Sequence, residues 1–142
     1  MVIWITGKAG AGKTTLAKKI QTKLRNKNYS PIIIDGDRLR KIIDEGYSDD
    51  GRQKNIVFAA ELASMIEEQG VTAIVAMVSP KKVWRDMAKT LFEESYTIYV
   101  EGGKLWEGTE YDCPTTTEAD VVYDWRSSKI ITNNERLRHL LE

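Results

Sequence analysis

Cysteine is almost absent: Cys113 stands alone among 142 residues. One thiol makes no internal disulfide, so a reducing compartment is expected and the cytoplasm is the natural location. Long apolar runs are absent too, and none approaches the roughly 20 residues of a membrane helix. The opening Met1-Val2-Ile3-Trp4-Ile5 is apolar but short. It lacks a basic start and runs into a glycine loop, so no signal peptide is expected there. Neither sign of charge is in excess, since 21 Lys and Arg face 21 Asp and Glu. A general nucleic-acid binder carries a basic excess, so nucleic acid is not expected as a partner. A local basic pocket for one anionic ligand stays open. There is no repeat, low-complexity tract or linker, and the length fits one domain, 1–142.

What is present is an alternation of short apolar runs and amphipathic stretches. Strands are expected at 2–6, 31–35, 72–78, 96–100 and 121–123. Each is rich in β-branched residues and too short for a buried helix. Their near-continuous apolar character suits a parallel sheet covered on both faces. Helices are expected at 13–27, 37–45, 51–69, 80–91 and 134–141. The fourth has Ser79 as a candidate N-cap and Pro80 at its first position. The expected fold class is therefore α/β, a parallel sheet of about five strands with helices on both faces. Residues 102–117 have no periodicity and read as a loop, rich for its length in apolar and aromatic side chains.

The sharpest signal is Gly7-Lys8-Ala9-Gly10-Ala11-Gly12-Lys13-Thr14, which satisfies G-x-x-x-x-G-K-[ST]. It follows an apolar strand and opens an amphipathic helix, as a phosphate-binding loop of the P-loop NTPase type requires. Glycines let the backbone wrap an anion with its amides inward, and the helix dipole adds positive potential. Lys13 would serve the β- and γ-phosphates of ATP, Thr14 would ligate Mg2+, and Thr15 would support the α-phosphate. Lys8 either adds to the anion field or points to solvent.

A second signal is Asp35-Gly36-Asp37 at the end of the second strand. Ligands of open parallel sheets bind beyond the carboxyl ends of the strands, so this pair shares an edge with the phosphate loop. Asp37 is the candidate base for an acceptor hydroxyl and Asp35 the candidate for the Mg2+ shell. The alternative is a strand-end turn in which Asp37 caps the next helix. Arg40, Arg52, Asn55 and Arg85 lie near the same edge, and arginines there either clamp an anionic substrate or face solvent. Trp106 and Tyr111 either stack on a base or pack on the sheet edge. Trp4 reads as core, Trp84 and Trp125 as packing or a subunit contact, His139 as surface. Cys113 reads as a buried small hydrophobe rather than a nucleophile.

These motifs together resemble the adenylylsulfate (APS) kinase family, over nearly the whole chain. The family's D-G-D-N-[VI]-R matches Asp35-Gly36-Asp37-Arg38-Leu39-Arg40, with Arg38 in place of asparagine. Its G-[FY]-S-x-x-x-R-x-x-N-I matches Gly46-Tyr47-Ser48, Arg52, Asn55 and Ile56, and its S-P matches Ser79-Pro80. Its F-x-G and Y-E-x-P look like Trp106-Glu107-Gly108 and Tyr111-Asp112-Cys113-Pro114. The resemblance implies transfer of the ATP γ-phosphate to the 3′-hydroxyl of adenosine 5′-phosphosulfate. It also implies that Arg40, Arg52 and Asn55 hold the substrate's anionic group, that Ser79 lies near the acceptor, and that Trp106 stacks on the substrate base. A homodimer is implied as well. One family segment, R-D-x-K-x-L-Y with a basic lid helix, has no counterpart: Val100 runs almost directly into Glu101-Gly102-Gly103-Lys104-Leu105-Trp106. Two rivals stay open. One is a kinase of this fold with another acceptor, such as a nucleotide conjugate like cytidine diphosphoramidate or a modified nucleoside. The other is a non-catalytic nucleotide-binding module.

Overall fold

A computed structural model describes residues 1–105 and 110–142. In chain order the elements are β1 (Val2–Thr6), α1 (Lys13–Arg25), β2 (Ile32–Asp35), α2 (Gly36–Arg40), α3 (Asp49–Glu68), β3 (Ala73–Ala76), α4 (Lys82–Lys89), β4 (Ser95–Val100), β5 (Val121–Asp124), β6 (Lys129–Ile131) and α5 (Glu135–Leu141). The sheet runs β2-β3-β1-β4-β5-β6. The first five strands are mutually parallel and β6 pairs antiparallel with β5.

β1 is central, and all five of its residues are buried. Side chains alternate across a strand, so β1 feeds two cores. Ile3 and Ile5 meet Leu16, Ala17, Ile20 and Leu24 of α1 and Leu137, Leu140 and Leu141 of α5. Val2 and Trp4 meet Ile56, Ala59, Ala60 and Ala63 of α3 and Trp84 and Ala88 of α4. Helices therefore cover both faces, and the expected α/β class holds. Three helix starts, those of α2, α3 and α5, carry a side-chain cap. The Ser48 hydroxyl accepts from the Gly51 amide at 3.1 Å, and Asp49 and Asp50 complement the dipole of α3. Asn134 caps α5 by accepting from the Leu137 amide at 3.0 Å.

Three expectations need correction. A sixth strand exists that pattern did not announce, because β6 is a three-residue edge strand with a half-exposed sequence. The second helix stops at Arg40 rather than reaching 45, and Asp35, not Asp37, caps it. The fourth helix starts at Lys82 with Lys81 at its N-cap. Ser79 is not the cap: it adopts a left-handed conformation, φ 48°, and its hydroxyl is held by the Trp4 indole N–H at 2.9 Å.

Arg85 is also reassigned. Its side chain is 1% exposed and that of Glu118 is 4%. Nε and Nη2 donate to the two Glu118 oxygens at 2.7 and 3.0 Å. The same guanidinium donates to the Ser79 carbonyl at 2.7 Å and the Asp112 carbonyl at 2.6 Å. Its donors are committed to fastening the segment after 110 onto α4, so it is no substrate clamp. Removing one member of a buried pair strands the other charge. Arg85→Ala should therefore lower stability by about 3–5 kcal/mol in urea titrations. The double variant Arg85→Met, Glu118→Leu should recover most of that loss.

Candidate active site

The phosphate loop joins β1 to α1 at the centre of the sheet. Gly12 is the residue before α1, with φ 100° and ψ 21°, a conformation open to glycine and costly for other residues. The loop is tightened by the Ala11 amide donating to the Lys8 carbonyl at 3.2 Å. Lys13 Nζ donates to the same carbonyl at 2.8 Å. In this arrangement the ammonium lies folded against its own loop.

A cavity of about 410 Å³ opens beside the loop. Ala9, Gly10, Gly12, Lys13, Thr14 and Thr15 line one wall, and Asp35, Asp37, Arg40 and Arg52 line the facing one. Ala76 to Pro80 close the floor, Ser79 included. Thr14 Oγ1 donates to Asp35 Oδ2 at 3.0 Å, while Asp35 Oδ1 accepts from the Asp37 amide at 3.0 Å. One carboxylate thus ties the start of α1 to the start of α2. Asp37 itself is exposed and faces the cavity.

The arginine wall is organised by an aromatic ring. The Arg40 guanidinium lies 4.4 Å from the Tyr47 ring centroid and that of Arg52 lies 5.8 Å from it. Arg40 Nη1 also donates to the Gly46 carbonyl at 3.0 Å. These contacts place two cations on one side of the cavity at a small desolvation cost. Behind them, Asn55 is 1% exposed and neither of its amide atoms has a partner among the described residues. Gly7, Lys8 and Ala11 belong to the loop but do not line the cavity. Trp106 lies outside the described residues.

Where the lid segment is absent, the chain passes straight over the phosphate loop. The Lys104 amide donates to the Ala9 carbonyl at 2.9 Å, a one-residue antiparallel bridge. Gly103, with φ 74°, lies so close that a Cβ would stand 2.5 Å from the Ala9 oxygen and 2.9 Å from the Ala11 nitrogen. Leu105 then lines the cavity. Sequence reasoning did not assign Leu105 to the site, and the only available signal was its position shortly past a strand end.

Tyr111 is not a free platform. Its hydroxyl is 2.7 Å from Thr6 Oγ1, and its ring lies 6.1 Å from that of Tyr99, inclined at 24°. Burial pushes its pKa upward. Cys113 is exposed rather than buried, with Sγ 3.6 Å from the Tyr99 hydroxyl. Among the described residues, no cluster of three His, Cys, Asp or Glu is placed to hold a metal, and no helix is long and apolar enough to cross a membrane.

A β2-β3-β1-β4-β5 parallel sheet with G-x-x-x-x-G-K-T between its central strand and first helix defines a P-loop protein of the nucleotide-kinase type. The chain belongs to the adenylylsulphate kinase family, whose model matches residues 1–106. A probable adenylyl-sulfate kinase of Archaeoglobus fulgidus is 37% identical over 100 residues, covering 69% of this chain and 64% of that one. Its counterpart in Pyrococcus abyssi is 39% identical over 100 residues, covering 69% and 58%. The matched region thus spans less than two thirds of either relative's length. The solved structure of the Mycobacterium tuberculosis APS kinase with AMPPNP and APS superposes with a TM-score of 0.81 over 99% of this chain and 96% of its own. At 19% identity that likeness speaks for the fold.

Burial lowers the Lys13 pKa from 10.5 to about 8, against the opposing pull of Asp37 and Asp35. A bound polyphosphate would raise it again. The complex then holds more protons than the free protein above about pH 8, so binding weakens as pH rises through that value. Calorimetry of ATP binding near pH 8.5, in buffers of different ionisation heat, should show net proton uptake.

Proposed function

We propose that the protein transfers the γ-phosphate of Mg-ATP to the 3′-hydroxyl of adenosine 5′-phosphosulfate. The observation that carries this reading is the two-walled cavity. A phosphate loop with Lys13 and Thr14 faces a wall that carries Asp37 and the anion-receptive Arg40 and Arg52. An acceptor that is itself an anion needs such a wall, because guanidinium groups bind phosphate and sulfate oxygens bidentately. The buried, unpartnered amide of Asn55 supports it, since a stranded amide is costly unless a ligand satisfies it.

In this reading Lys13 swings from the Lys8 carbonyl to the β- and γ-phosphates. Asp37 accepts the proton of the acceptor hydroxyl as it attacks. The Thr14 hydroxyl and Asp35 carboxylate, 3.0 Å apart at the cavity wall, are the groups that would hold Mg2+ and its waters. A Mg2+ held there would supply charge neutralisation for the transferred phosphoryl group. Ser79 plays its part through the shape of the cavity floor, because its hydroxyl is engaged by Trp4. The base of the acceptor falls to Trp106 by family resemblance. We assign the protein to the cytoplasm, where its exposed single thiol stays reduced, and to a homodimer, which light scattering on the purified chain would test.

The deciding assay follows labelled phosphate from Mg-ATP to adenosine 5′-phosphosulfate and to a panel of other nucleotides and nucleotide conjugates. Labelled 3′-phosphoadenosine phosphosulfate above all other products is expected. Robust labelling of a different acceptor instead would retain the kinase chemistry and overturn the substrate. Lys13→Ala should remove ATP binding and transfer together. Asp37→Ala should spare ATP binding and slow transfer by about 100- to 10,000-fold. Unchanged turnover in that variant would refute Asp37 as the base.

A further inference from the structure

The cavity occupies one half of the sheet edge. Apart from the phosphate loop and Leu105, its lining comes from the carboxyl ends of β2 and β3, from α2 and α3, and from the turn between those helices. β1, which launches the loop, has β3 on one side and β4 on the other. In-line transfer sets the attacking and leaving oxygens on opposite sides of the transferred phosphorus. An acceptor over β2 and β3 therefore directs the donor's nucleoside towards β4 and β5, again beyond their carboxyl ends. Trp125 is the first residue after β5.

Its surroundings are those of a braced, half-open aromatic plane. A Cβ on Gly12 would stand 2.3 Å from the indole Nε1 and 2.8 Å from Cδ1, so the ring edge fills the space beside the last glycine of the loop. Tyr123 meets the ring at 4.8 Å and 84°. Trp125 is otherwise half-buried. Its Nε1 is buried without a hydrogen-bond partner among the described residues, whereas a buried indole N–H usually finds one. Packing alone would be served as well by phenylalanine, which strands no donor. The ring also packs against the core through Tyr123 while part of it stays accessible.

We propose that Trp125 is the stacking platform for the base of the donor nucleotide, next to the phosphate loop and opposite the acceptor. It would supply from the body of the fold an aromatic contact to the base, in a chain without the lid segment. The proposal rests on the phosphotransferase reading above but not on the identity of the acceptor.

The test compares ATP with inorganic tripolyphosphate, each with Mg2+ and no acceptor, by calorimetry and tryptophan fluorescence on the full chain. Tripolyphosphate fills the loop but has no base. Trp125→Ala should raise the Kd for ATP by about 5- to 100-fold and leave that for tripolyphosphate unchanged. Trp125→Phe should keep ATP affinity within about threefold, because it retains a π face. The wild type should show a fluorescence change with ATP beyond that with tripolyphosphate, and Trp125→Phe should lose it. Should Trp125→Ala not fold, this fluorescence comparison decides alone. Equal loss of both ligands in Trp125→Ala would make Trp125 a brace for Gly12 and overturn the platform. Unchanged ATP affinity, or identical fluorescence responses in the wild type, would overturn it too. A wild type that binds neither ligand would overturn the phosphotransferase reading along with it, a result separable from selective loss.

Discussion

The carboxylate of Asp35 is the contact on which the site depends. One oxygen accepts from the Thr14 hydroxyl and the other from the Asp37 amide. The first bond registers the phosphate loop against β2, and the second starts α2 in the direction that brings Arg40 to the cavity. The two walls are thus aligned by a group short enough to have little rotamer freedom. Both of its bonds use a hydrogen-bond acceptor that is also suited to the waters of a Mg2+ ion. The geometry that organises the site and the geometry that would receive the metal are therefore the same.

Burial sorts the arginines into two kinds. Arg85 spends its donors on Glu118 and two carbonyls inside the fold, so its charge is neutralised before any ligand arrives. Arg40 and Arg52 instead lie against the Tyr47 ring at the cavity wall. A ring face lowers the cost of holding a cation at the cavity wall. Spacing in the sequence does not separate these cases, because each arginine follows a helix start near the same sheet edge. The difference is made by Glu118, thirty-three positions beyond Arg85 and brought to it by the chain's return after β4.

The same contrast explains what was legible. The phosphate loop and the five parallel strands were readable because their signals are local: a glycine pattern, a run of β-branched residues, a helix period. The convergence of Lys13, Thr14, Asp35 and Asp37 on one cavity followed from a topological rule about strand ends, whereas Arg40 and Arg52 were assigned to it by the family resemblance. What escaped depends on tertiary partners. Ser79 looked like an N-cap, but the Trp4 indole claims its hydroxyl and fixes it in the left-handed region. For Tyr111 the sequence left stacking and packing open, and Thr6 and Tyr99 hold it. β6 has too few residues for any period to show.

The absent lid bears on how the site excludes water. A closing segment normally strips solvent from the phosphates and so strengthens each electrostatic contact there. Here the backbone of Gly103 and Lys104 lies directly on the loop, and the Trp125 indole fills the space beside Gly12. Burial leaves the Lys13 ammonium poorly solvated in this arrangement and lowers its pKa despite two nearby carboxylates. Part of the desolvation that closure would provide is thus built into the resting fold. In the proposed reading, a donor nucleoside is then held by surfaces already in place around the loop. That condition favours a rigid aromatic on the body of the sheet over a cation on a moving helix, because the aromatic needs no closure step to make its contact.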